Sequence, residues 1–413
     1  MSDQAALAHG ARRVGAGATD WRSVWLLYGA GVITAFQIGK IPPAIPMLQA
    51  DLGMSLVTAT WGLSLLSVLG LVLGLQAGGL VDLFGNRRAL LWGLAMAAAA
   101  AAATALSTGA TAFLAARLFE GLGHLMIVVA GPVLMVRVTA PADRPLALAL
   151  WASFLTVGIA VMNLAAPALI AAGGLAGLFW ANAGLLALAT LAVAAVLPSR
   201  IEPAAAAPLP GHGRWTAALV TGPLAIYRHP RPVLLAYVFA AYCITAFAFL
   251  GLVPTFLSER IGLDLARASS LASAVAIAAL LGVFGAGLLM RRGVGFTAIG
   301  LGAFAAMGLI GPPLYWLDLP VPFVVAGCIA FQACAGLIPG AVFAAAPENA
   351  PSADRIGLAN GLLAQTGNLG NLVGPPMMAW IITVGGWGLA PVQLIGGSLA
   401  GIALVLMLHR ARA

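Results

Sequence analysis

The chain has 413 residues, 62% of them hydrophobic and only 8% charged, with a formal net charge of +8 and a mean hydropathy of +1.03. A water-soluble fold could not cover that much apolar surface, so the composition excludes a soluble enzyme or binding domain. The positive charge is not gathered into a basic patch with interleaved aromatics, which argues against a nucleic-acid partner.

In chain order, segment 1–22 is polar and mixed in charge. It lacks the short apolar core and cleavage pattern of a secretory signal, so the first span is expected to be its own insertion signal. Apolar runs of roughly 20 residues then predict spans over 23–47, 55–81, 89–107, 112–136, 146–172 and 175–197. A polar stretch over 198–232, rich in Ala, Pro and Arg, reads as a linker. Part of it, 215–227, has the makings of a short interfacial helix with Trp215 and Tyr227 at headgroup level. Six more spans are predicted over 233–257, 268–290, 296–314, 320–344, 357–384 and 389–408, followed by a tail over 409–413. The expected organisation is all-α, with six-helix bundles over 23–197 and 233–408. Cys243, Cys328 and Cys334 all fall within spans, without disulfide or metal-ligand spacing, and read as packing residues.

Basic residues mark the cytoplasmic side of short loops. With the N-terminus inside, every basic residue except Lys40, Arg117, Arg260 and Arg267 falls inside, which is sixteen of the twenty (20 − 4). Both termini are therefore expected in the cytoplasm and the chain in an inner membrane.

Between spans two and three lies a polar turn, Gly78-Gly79-Leu80-Val81-Asp82-Leu83-Phe84-Gly85-Asn86-Arg87-Arg88. Its glycines permit close helix approach, Asp82 can cap or pair at a helix end, and Arg87 and Arg88 suit the headgroup layer. The halves also share an outline. Pro141-Ala142-Asp143-Arg144 precedes span five and Pro351-Ser352-Ala353-Asp354-Arg355 precedes span eleven, while Arg291-Arg292 repeats the basic pair after span eight. Duplicated halves of this kind place a solute site near the midplane between them.

Six plus six spans, a central loop, and Gly78, Asp82, Gly85, Arg87 and Arg88 in that turn resemble the major facilitator superfamily, whose signature there is G-x-x-x-D-R/K-x-G-R/K-R/K. The chain departs from it at Leu83 and Asn86. Arg117-Leu118-Phe119-Glu120-Gly121-Leu122-Gly123 is similar to the family's R-x-x-Q-G-x-G in span four, with Glu120 in place of Gln. The resemblance covers essentially the whole chain. It implies a secondary carrier made of two pseudo-symmetric six-helix bundles, which works by alternating access as a monomer, with the turn residues as a conformational gating motif. Span five has Gly158 and Pro167 but not the G-x-x-x-G-P-x-x-G-G pattern of resembling antiporters, which speaks against drug efflux.

Ionisable side chains within the hydrocarbon cost at least roughly 2.5 to 3.5 kcal/mol each, so each asks for a partner or a purpose. Lys40, Arg117, Glu120 and His124 are the ones in these spans. Arg117, Glu120 and His124 share one face of span four by i, i+3, i+7 spacing. Lys40 and Glu120 both lie about 12 Å deep, counted at roughly 1.5 Å per residue, so they can meet across the bundle. In one arrangement Lys40 and Arg117 present positive charge to an anionic solute, with Gln37 a turn away as a neutral donor. In the other, Arg117 and Glu120 pair locally and Lys40, beside Pro42 and Pro43, snorkels outward from a broken helix. Glu120 and His124 are the groups able to take up a proton. In the second half the polar groups are neutral: Gln332 on span ten, and Gln365, Asn368 and Asn371 at i, i+3, i+6 on span eleven. They read either as interhelical glue or as solute hydrogen-bonding groups. Pro375-Pro376 predicts a bend beyond them.

The expected function is a carrier of a small organic anion driven by the proton gradient, with no cofactor and no metal. An exporter of the same fold is the alternative, and a sensor that kept the fold without transport is a third reading. No arranged nucleophile, base or metal set appears in the spans, which excludes an enzyme.

Overall fold

The computed structural model describes residues 18–76, 85–198, 225–352 and 356–412, and all regular structure among them is helical. The first half comprises α1 (Trp21–Gly39), α2 (Ile41–Leu52), α3 (Leu56–Ser64), α4 (Ser67–Leu73), α5 (Asn86–Ala105), α6 (Ala110–Val138) and α7 (Arg144–Val196). A 3-10 turn over Ala225–Arg228 leads into the second half. That half comprises α8 (Pro230–Glu259), α9 (Leu265–Arg291), α10 (Phe296–Ile310), α11 (Pro313–Trp316), α12 (Val321–Asn349), α13 (Ile356–Gly385) and α14 (Pro391–Arg412).

Nine of the described stretches are long and apolar enough to cross a membrane, and α3 with α4, bent by 49°, makes a tenth. Two further spans follow from local geometry. Helix α7 is interrupted at Gly173 and at Gly174, where φ is +63°, so it holds two spans rather than one. A side chain at Gly174 would be strained by that positive φ. Helix α13 supplies the other, with 30 residues running through Pro375 and Pro376 without interruption. The ten thus become the twelve expected.

Helix ends follow local chemistry. The Asp20 carboxylate accepts from the Ser23 backbone N–H and hydroxyl at the start of α1, and the Ser23 hydroxyl holds that carboxyl below its ordinary value. Ser55 and Asp264 cap α3 and α9 in the same way. Span one breaks at Lys40, between α1 and α2. Pro42 and Pro43 lack the N–H groups that would continue the ladder from α1, which accounts for the break.

Within each half, helices meet through small residues. A Cβ on Gly158 of α7 would lie 2.5 Å from the Val32 carbonyl of α1, and one on Gly374 of α13 would lie 2.5 Å from the Ile244 carbonyl of α8. The same close approach thus recurs at corresponding places in the two halves. The halves touch each other where α3 and α4 pack on α13, α2 on α8, and α7 on α9.

Glycines on one helix give a matched test of this packing. A Cβ on Gly282 of α9 would overlap the Ala333 carbonyl of α12, whereas Gly287 on the same helix has nothing within 4 Å. Gly282→Ala is expected to lower the apparent melting temperature of the purified protein in detergent by several degrees. Gly287→Ala is expected to leave it unchanged or slightly raised, because Ala is the better helix former by up to ~1 kcal/mol.

Candidate functional site

The break in span one delivers Lys40 into the interior of the first half. Its side chain is fully buried, and its ammonium donates to Glu120 Oε1 at 2.5 Å and to Asn182 Oδ1 at 2.9 Å. It also lies 4.9 Å from the centroid of the Phe179 ring, a cation–π contact. The outward-snorkelling arrangement is therefore overturned: the helix does break at Lys40, but the charge turns inward, where a carboxylate waits at the same depth.

Arg117 is equally buried and spends each of its donor groups. Its Nη1 pairs with Glu120 Oε2, its Nε donates to the Gly62 carbonyl of α3 at 2.7 Å, and its Nη2 donates to the Gln37 carbonyl of α1 at 2.7 Å. Glu120 is thus shared by two cations, one per carboxylate oxygen. Local pairing of Arg117 with Glu120 and a meeting of Lys40 with Glu120 were separate possibilities in the sequence, and here both occur at one carboxylate. Every polar partner of the three charges lies in the first half, on α1, α3, α6 or α7. Arg117 in this state faces backbone and carboxylate rather than an open cavity.

Beside the ion cluster, both polar atoms of the fully buried Gln37 side chain lack a hydrogen-bond partner among the described residues. His124, a turn beyond Glu120 on α6, lies against the backbone of Thr34, and its Nδ1 has no hydrogen-bond partner among the described residues. Asn182 is a partner that the sequence did not single out; it is the one amide in the span after the Gly173–Gly174 break, and Asn163 is the one before it.

The neutral groups of the second half separate into two kinds. Gln365 bridges the seam between the halves: its Nε2 donates to the Leu71 carbonyl of α4 and its Oε1 accepts from the Tyr227 hydroxyl, both at 2.8 Å. Asn368 donates to Ala364 of its own helix and lies so close to Gly70 that a Cβ there would meet its amide at 2.5 Å. The Asn371 carbonyl accepts from Ser64 at 3.0 Å. In this state Gln365 serves as interhelical glue, while Asn368 bonds within its own helix and packs against Gly70. Gln332 is buried with its Oε1 unpartnered, and the Asn371 side-chain oxygen likewise. These stripes do not meet the ion cluster through any described hydrogen bond.

Of the turn between spans two and three, Gly78 and Asp82 lie outside the described residues. Gly85 has φ +87° and precedes α5, a conformation natural to glycine. Arg87 donates to the carbonyls of Leu197 and Ala194 at 2.8 and 3.0 Å, closing the C-terminal end of α7, while Arg88 is exposed. Of the interfacial stretch 215–227, only the 3-10 turn that holds Tyr227 is described.

The family model described as Major Facilitator Superfamily matches residues 27–364. Among curated proteins, the chain is 25% identical over 228 residues to the methylenomycin A resistance protein of Streptomyces coelicolor, covering 54% of this chain and 47% of that one. The chain spans between 33% and 47% of the length of the curated relatives it matches. Among solved structures, it resembles a bacterial homologue of the human lysosomal transporter Spinster, with a TM-score of 0.70, 16% identity and 96% of each chain covered. It also resembles the human organic anion transporter MFSD10, with a TM-score of 0.66, 17% identity, and 92% and 98% of the two chains covered. Identities this low speak to the fold alone. Taken with the family match over most of its length, they establish that this chain belongs to the Major Facilitator Superfamily, the fold of a multi-pass membrane transporter rather than an enzyme.

Proposed function

We propose that the chain is a secondary carrier of a small organic anion, coupled to protons in symport and working by alternating access between two six-helix units over 23–197 and 233–408. The observation that carries this reading is the charge balance of the buried cluster, in which Lys40 and Arg117 share the single carboxylate of Glu120. One positive charge remains in surroundings with little water. At ~6 Å and an effective dielectric of ~20, that excess favours a unit anion by roughly 3 kcal/mol and penalises a cation equally. The difference is enough to set the sign of the solute. The free amide of Gln37 beside the cluster supplies neutral hydrogen bonds, and Gln332 and Asn371 supply them from the second half. MFSD10, named as an organic anion transporter, has the same fold.

Glu120 and His124 are the proton-handling groups of this reading: an anion arriving at Lys40 and Arg117 competes with Glu120 for their charge and frees the carboxylate to protonate. The proton gradient is then the energy source, without a bound cofactor. The distribution of arginines supports cytoplasmic termini in an inner membrane with the 198–232 linker on that side, and the family resemblance supports a monomer. Export in exchange for protons is the second reading, favoured by the likeness to a protein named for methylenomycin A resistance.

Thermal unfolding in detergent against pooled organic anions, lipophilic cations and neutral solutes tests the sign of the solute. A ligand at 100 times its Kd stabilises by about 2.7 kcal/mol. Stabilisation of the wild type by an anion pool, abolished in Lys40→Ala, is the expected result. Stabilisation by cations or neutral drugs that survives Lys40→Ala would transfer the assignment to an exporter. The charge balance makes a second, ligand-free prediction. Glu120→Gln leaves two buried cations without a counter-charge and should cost about 3 to 5 kcal/mol of stability. Lys40→Met leaves the neutral Arg117–Glu120 pair and should cost clearly less. Equal losses of melting temperature would contradict the shared-carboxylate arrangement.

A further inference from the structure

Phe179 belongs to two places at once. Its ring is the aromatic contact of the Lys40 ammonium, at 4.9 Å. The same residue also lines a depression of about 300 Å³ at the end of the first half where α2 and α5 terminate, together with Asp51, Thr104, Ser107 and Gly173. It is the residue common to the lining of that depression and to the contacts of the ion cluster. Phe179 is 1% exposed and rests edge-on against Phe113, with ring centroids 5.7 Å apart.

Two further features bear on what this ring does. An ammonium has three donors; Glu120 and Asn182 are the oxygen acceptors of Lys40, and the ring is its remaining close contact. Water is a better partner for that third donor than a benzene ring, so the contact exchanges readily once water arrives. Open space also borders the chain nearby: a Cβ on Gly173 or Gly174, at the break five to six residues before Phe179, would have nothing within 4 Å.

The geometry points to a water-access route inside the first half, running from this depression past Phe179 to Lys40 and Glu120, by which protons reach the ion cluster without passing between the halves. The side chain of Phe179 is its door. What the water carries rests on the proton-coupled reading above; the access itself does not. The depression lies at the Asp51 end of the first half, whereas the halves meet along the seams where α3 and α4 pack on α13 and α7 on α9. Proton and solute would then reach the protein by separate ways.

The route is tested by labelling with 2-aminoethyl methanethiosulfonate in detergent, read by intact mass. The background carries Cys243→Ala, Cys328→Ala and Cys334→Ala, and the reporter is Lys40→Cys. Phe179→Ala is expected to raise the labelling rate of the reporter at least fivefold, and Phe179→Trp to leave it no faster. Gln365→Ala, which removes a hydrogen bond across the seam between the halves, should change it less than Phe179→Ala does. A rise below fivefold with Phe179→Ala, or an equal rise with Gln365→Ala, overturns the route. Should Lys40→Cys not fold, Asn182→Cys reports on the same spot with the same outcomes. Proton movement during solute uptake is read separately, with a pH-sensitive dye in proteoliposomes. Phe179-controlled labelling without proton movement would leave the route standing and remove the coupling, and the reverse result would do the opposite.

Discussion

Glu120 divides its two carboxylate oxygens between Lys40 and Arg117, and the geometry of the first half is organised around that division. A lone carboxylate or a lone cation at this depth would carry a desolvation cost of several kcal/mol, which only close partners offset. Arg117 meets this condition with donors in three directions, reaching backbone on α1 and α3 as well as the carboxylate. Lys40 meets it from the junction of α1 and α2, where its ammonium reaches both Glu120 on α6 and the Asn182 amide on α7. Four spans are thereby joined at one buried point without any reliance on the lipid or on the other half.

The contacts between the halves are of another kind. Ser64 on the Asn371 carbonyl, Gln365 on the Leu71 carbonyl and Ser273 on the Ala160 carbonyl are single neutral hydrogen bonds, each worth about 1 kcal/mol net. Around them are small residues such as Gly70 and Gly74 that allow close approach without interlocking. A charged, many-donor network thus lies within the first half, whereas these described bonds across the seam are neutral and single.

The same contrast explains why the neutral stripe on α13 and the charged face on α6 were unequally legible. Spacing placed Gln365, Asn368 and Asn371 on related faces of one helix, but helical spacing is silent on whether an amide meets solute or a neighbouring carbonyl. That depends on how near α4 comes, which is set by Gly70 and Gly74 on another span. For Arg117 and Glu120, by contrast, i, i+3 spacing already places the pair within reach on a single helix. Lys40 lay between these cases: its depth matched that of Glu120, while its direction depended on the break at Pro42 and Pro43. Asn182 gains its role only from the approach of Lys40, which lies 142 positions away in the chain.

By itself the sequence determined the membrane class, the succession of apolar helical spans among the described residues, and the two motif regions that resemble the family's. These properties are local: hydrophobic run length, proline and glycine positions, and the spacing of charges along one helix all act within a few turns. Only the tertiary structure decided that Lys40 turns inward rather than toward the headgroups, that one carboxylate serves two cations, and that Gln365 closes a seam. Each of those outcomes depends on the distance between helices far apart in the chain. That distance is fixed by packing of small and large side chains across the whole bundle, where no single segment carries the information.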